Sequence, residues 1–202
     1  MDTATRTWIR RTALGLCVAT LPFAAHYPAA APSSDPAPVP SIVIFGADAE
    51  DEAAIDSALH RYRVAGLENM PPLEVHVHAS HRPCNGGLGL HHAGRIDLCT
   101  KDSSEPYARK FALHEMAHAW AGANVSQEIL ERFMEVRGLE GWNDQSSPWK
   151  ERGIEQVAEV ITWGLGEGEI QPLLPEPTEA AELQWLYEML TGRAPITPAA
   201  TA

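Results

Sequence analysis

The chain has 202 residues, of which 45% are hydrophobic and 21% charged, and it carries a formal charge of −12. That length suits one domain with a real core plus some unstructured sequence. So acidic a surface repels nucleic acid and anionic lipid, which excludes both as partners, and it names no substrate.

Residues 1–27 read as a secretory signal peptide. Arg6, Arg10 and Arg11 precede an apolar stretch from Ala13 to Ala25, and small residues follow at Ala29 to Ala31. The apolar run is short for a bilayer and is broken by Pro22, so no stable membrane insertion is expected once the leader is removed. Leu16 stands before Cys17 where a lipid-anchoring signal needs a small residue. The expected location is extracellular. Residues 28–40, rich in Pro and Ala, form neither helix nor ladder and read as an extended tether.

The folded domain is expected over residues 41–193. Ser41 to Phe45 reads as a buried strand, and Asp48 as the cap of a helix that places Ile55, Leu59 and Tyr62 on one face. After Pro71-Pro72, the apolar residues Leu73, Val75, Val77 and Ala79 alternate with Glu74, His76, His78 and Ser80, the period of a half-buried strand. Asn85 to Gly89 reads as a flexible loop, and Arg95 to Thr100 as another strand. Ser104-Glu105-Pro106 opens a helix running to about Ala121, with Gly122 as its stop. Further helices are predicted from Ser126 to Gly138, from Ser147-Pro148 to Gly164, and from Thr178 onward with Leu183, Leu186, Tyr187 and Leu190 on one side. Residues 194–202 are predicted to be a disordered tail. No sign of an obligate partner copy appears, and a monomer is expected.

With the leader gone, Cys84 and Cys99 are the remaining thiols, and in an oxidising compartment one disulfide between them is predicted. His76, His78, His81, His91 and His92 cluster around the second strand and the loop after it. They fit a solvated face better than a second metal site.

Residues 114–118 are His-Glu-Met-Ala-His. On a helix His114 and His118 share a face and can hold one metal ion together, while Glu115 stands beside it as a general base, the wiring of a zinc hydrolase. A catalytic zinc takes three protein ligands, so a third is needed. Extension to a third histidine is excluded, because Ala121 and Asn124 occupy the positions where Gly and His would stand. A glutamate from a second helix is the other common solution, and Glu155-Gln-Val-Ala-Glu159 offers two acidic residues one turn apart. Two carboxylates so placed on a largely apolar helix repel one another unless a cation lies between them and the imidazoles.

These two motifs resemble the gluzincin metallopeptidases, in particular the lethal-factor-like proteins and their small secreted relatives, over roughly Arg95 to Leu165. The resemblance implies an α+β, zincin-like domain. It has a small N-terminal β-sheet with helices, an active-site helix and a glutamate helix below a cleft, and a C-terminal helix. It further implies one Zn2+ held by His114, His118 and Glu155, with Glu159 hydrogen-bonded to a ligating histidine and Glu115 as base in hydrolysis of a peptide or protein substrate. The strand Arg95 to Leu98 becomes the edge strand that binds extended substrate. The family's tyrosine upstream of the glutamate helix is replaced by Pro148. Arg152 is the nearest candidate for stabilising the oxyanion, with Tyr107, Tyr187 or the metal alone also open. Two rival readings are a zinc-binding extracellular protein that recognises a partner without cleaving it, and a zinc amidase acting on a non-peptide substrate.

Overall fold

A computed structural model describes residues 42–166, 173–175 and 178–196. The predicted signal peptide, the tether and residues 197–202 of the tail lie outside these. Within them the chain forms an α+β arrangement, with four strands in one mixed sheet and five α-helices.

Asp48 caps helix α1 (Ala49–Val64) through a capping box. Its carboxylate accepts from the Glu50 and Asp51 backbone amides, while the Asp51 side chain accepts from the Asp48 amide. Ile55, Ala58 and Tyr62 form the buried face of α1. Strand β1 (Ile42–Phe45) precedes it and β2 (Leu73–Val77) follows, paired in parallel. The prediction of a buried first strand is corrected, since β1 lies at one sheet edge with Val43 and Phe45 exposed. In β2 the predicted alternation holds, with Leu73, Val75 and Val77 buried.

The largest difference concerns the other edge. The predicted flexible loop ends in a strand, β3 (Gly89–His92), which turns through Ala93-Gly94 into β4 (Arg95–Leu98). Both turn residues have positive φ, 47° and 81°, the backbone of a two-residue hairpin turn whose twist matches its strands. The sheet order is β1-β2-β4-β3, so β4 is interior and β3 is the edge strand. The glycines that read as loop conceal a short strand whose pairing with β4 is not encoded in its own residues. Cys84 and Cys99 form a disulfide that closes this region at its base.

Along β4, Ile96 and Leu98 enter the core while Asp97 alternates to the other face. There its buried carboxylate receives Arg95 at 2.6 and 3.0 Å, His78 at 2.6 Å and His92 at 3.4 Å. Burial raises the Asp97 carboxyl, but the hydrogen bonds from Arg95 and His78 outweigh it and hold the group at about 2, below its ordinary 3.8. The folded chain therefore favours the ionised form. This contribution to stability is complete above about pH 4 and is lost as the pH falls through about 2. Asp97→Asn should lower the urea midpoint at neutral pH and flatten its decline between pH 4 and 2. A variant that declines as steeply as the wild type would remove Asp97 as the cause.

The remaining helices are α2 (Glu105–Asn124), α3 (Gln127–Arg137), α4 (Gly153–Leu165) and α5 (Ala180–Thr191). Helix α2 continues through Gly122, whose φ is not positive, and ends where Val125 turns extended. Ser126 and the left-handed Gly138 bound α3 as predicted. The helix predicted from Ser147-Pro148 to Gly164 is interrupted. Trp149–Glu151 form one 3-10 turn, the extended Arg152 breaks it, and α4 starts at Gly153. Gly164 does not stop α4. It lies inside the helix, against the Tyr187 ring of α5. Ile196, placed in the predicted disordered tail, donates its backbone amide to the Gly164 carbonyl at 2.9 Å and packs against the core.

Helix α2 is the central element, packed between α1 and α4 and beneath β3 and β4. Tyr62 of α1 donates its hydroxyl to the Leu113 carbonyl at 2.9 Å, one residue before His114. No helix among the described residues is long and apolar enough to cross a membrane.

Candidate metal centre

His114 and His118 lie one helical turn apart on α2, with Nε2 atoms 3.2 Å from each other. Glu155, in the first turn of α4, brings its Oε2 to 3.2 Å from His114 Nε2 and 3.1 Å from His118 Nε2. Three donor atoms thus form a nearly equilateral triangle. Two imidazole nitrogens this close can share at most one proton, so a cation facing all three relieves their repulsion. Tetrahedral zinc with bonds of about 2.0–2.1 Å separates its ligand atoms by about 3.3 Å, and the observed edges fit one face of that tetrahedron. Among the described residues, His114, His118 and Glu155 are the one group of three or more His, Cys, Asp or Glu side chains placed to hold a metal ion.

Glu159, one turn further along α4, does not face the triangle. Its Oε1 is 3.0 Å from His114 Nδ1 and its Oε2 accepts from the Leu173 backbone amide at 2.7 Å. A carboxylate on Nδ1 fixes the proton there and leaves the Nε2 lone pair directed into the triangle. His118 Nδ1 is buried with no hydrogen-bond partner among the described residues.

The electrostatics follow from burial against paired charge. Desolvation pushes the His114 imidazole down, but the hydrogen bonds to Glu155 and Glu159, with the charges of Glu115 and Glu159, carry it up to about 10. Glu155 is pushed up by burial and brought to about 2 by the same two histidines. Burial likewise raises Glu159, whose hydrogen bond with His114, Leu173 amide and nearby Lys110 hold it below the ordinary range. At Glu115 the compensation falls short. It is 5% exposed, and desolvation raises its carboxyl despite the two histidines and the His91 backbone amide that faces it.

Glu115 is confined from above by the edge strand. A Cβ on Gly89 would overlap its Oε1 and come within 2.6 Å of Cγ and 2.7 Å of Cδ, so only glycine fits there. His91, two residues on, lies on the same side of β3, and its ring stacks beside His118 with centroids 6.2 Å apart. Burial, with His118 and His92 nearby, lowers it to about 4 and keeps it neutral. His78 and His92 belong instead to the Asp97 cluster, and His76 to Glu74. Sequence reasoning missed Gly89 and His91. The available signal was a glycine at the head of a run ending in a turn, which marks a close approach of another group.

A cleft of about 440 Å³ opens beside Glu115. It is lined by Leu88 and Gly89 on the edge-strand side, Tyr107, Lys110 and Phe111 on α2, and Trp149, Glu159 and Leu173 opposite. The Trp149 and His114 ring centroids are 5.6 Å apart. Of the oxyanion candidates, Tyr107 lines this cleft. Arg152 does not, because its guanidinium is committed to the Ser147 and Gln145 carbonyls and the Gln145 side chain. Tyr187 is fully buried in the core against Gly164. No protein-family model, curated protein or solved structure matches the chain.

Proposed function

We propose that this chain is a secreted zinc-dependent metallopeptidase of the gluzincin type, with a zincin-like domain, that hydrolyses peptide bonds with Glu115 as general base. The observation that carries the reading is the triangle of His114 Nε2, His118 Nε2 and Glu155 Oε2, with the buried Glu115 carboxylate held next to it. A purely structural ion has no use for that carboxylate, which favours an enzyme over a binding protein. The disulfide between Cys84 and Cys99 agrees with an oxidising destination.

Zinc, when bound, supplies Lewis acidity toward a carbonyl oxygen and lowers the pKa of a water molecule toward 7. The rest belongs to the protein. A Glu115 carboxylate oxygen takes the proton from the attacking water and hands it to the nitrogen of the departing amine, so each turnover leaves Glu115 as it began. Glu159 keeps the proton of His114 on Nδ1. The edge strand β3 has one side unpaired and can take an extended peptide as a fifth strand, with its carbonyl delivered beside Glu115.

Cleavage of a mixed peptide library by the zinc-loaded chain, abolished by a chelator, tests the reading. Equal cleavage with and without chelator overturns it. The ligand roles separate by metal content. Glu155→Ala should lose stoichiometric zinc, whereas Glu159→Ala should keep the site and weaken its affinity by about 10–100-fold. Mass spectrometry under native conditions reads both, and loss confined to Glu159→Ala would reverse their order.

A further inference from the structure

The cleft beside Glu115 has a composition that the hydrolytic step does not use. Its walls are apolar at Leu88, Tyr107, Phe111, Trp149 and Leu173, and one cation, Lys110, stands among them. Lys110 precedes His114 by one turn of α2 and is half-buried, and its charge is felt at the Glu159 carboxylate. Among the described residues no hydrogen bond or ion pair holds its ammonium. A lysine side chain is an apolar four-carbon stem with a cationic end, so it can meet both the apolar body and the negative end of one ligand.

Charge balance gives that placement a consequence. Glu115 and Glu159 line the cleft and Glu155 stands beside His114 in the adjoining triangle, and a dication there leaves one of the three negative charges over. In a chain of 15 Lys and Arg against 27 Asp and Glu, a cleft so built would repel any anionic group that entered it. Lys110 offsets that excess from among the apolar walls of the cleft.

We propose that this cleft reads a carboxylate, its aromatic walls taking an apolar body and Lys110 taking the negative end. The inference rests on the peptidase reading and names a substrate class for it. The substrates are peptides with a carboxylate just beyond the cleaved bond, supplied by an acidic side chain or by the chain's own C-terminus.

Two probes that differ in charge alone, 3-phenylpropionate and 3-phenylpropionamide, test the pocket in the full-length chain by calorimetry, with zinc loaded and with zinc stripped. The acid should bind at least about tenfold tighter than the amide in the zinc-loaded form. Lys110→Met should bring that ratio close to one, and Lys110→Arg should keep it, with circular dichroism showing both variants folded. Equal binding of acid and amide overturns the proposal. So does a preference for the acid that requires zinc and survives Lys110→Met, since the metal would then be the anchor. Peptides ending in a free carboxylate, ending in an amide, or carrying an internal Glu after the cleaved bond then tell the two sources apart by their kcat/KM. If no peptide is cleaved while the Lys110-dependent preference stands, the pocket holds and the peptidase reading falls.

Discussion

Glu115→Gln should keep stoichiometric metal and lose turnover by at least about a hundredfold, within the 10²–10⁴-fold that a positioned base contributes. The substitution preserves the length and shape of a side chain that is 5% exposed, so nothing in its packing changes. None of the three triangle atoms belongs to residue 115, and the metal has no reason to leave. An amide cannot accept a proton from water at neutral pH, and no other carboxylate is free to replace it. Glu155 faces both imidazoles and Glu159 is engaged by His114 and Leu173. Metal analysis alongside steady-state cleavage checks this. Equal activity in the two proteins would remove Glu115 from the reaction.

Gly89→Ala should be nearly as damaging although residue 89 carries no chemistry. The added methyl overlaps the Glu115 carboxylate, and one of the two must move. The strand is the less able to yield. Gly89 is paired with Leu98 across the hairpin, the Cys99 amide donates to the Leu88 carbonyl at 2.9 Å, and Cys99 is bonded to Cys84. The carboxylate therefore swings out of position, and a misplacement of about 1 Å costs about a hundredfold in rate. Metal content should be unchanged. Gly122→Ala is the matched control, since nothing lies within 4 Å of its Cβ. Full activity in Gly89→Ala would show that Glu115 tolerates displacement.

The local parts of the site were legible in the sequence because they depend on residues four apart. His114, Glu115 and His118 sit on one helix whose start at Ser104-Glu105-Pro106 is written in its caps. Glu155 and Glu159 were legible as a pair, but their roles depend on how α4 crosses α2, a contact spanning 41 residues. The edge strand was not legible. Whether β3 or β4 lies outermost is decided by pairing between segments, and Gly89 offers no side chain to declare its strand. Arg152 shows the reverse error. Its proximity in sequence to Glu155 made it a candidate, yet the break before α4 turns its guanidinium onto the 145–147 loop.

The convergence of three carboxylates on two imidazoles also makes the stability of this protein a property of its surroundings. A cation that binds only the folded chain adds stability by mass action, about 2.7 kcal/mol at a hundred times its dissociation constant. Because His114 and Glu155 meet only when α2 and α4 are packed, the unfolded chain has no comparable site to compete for the ion. The lifetime of the folded chain would then follow the free metal of its medium, and a metal-poor medium would shorten it.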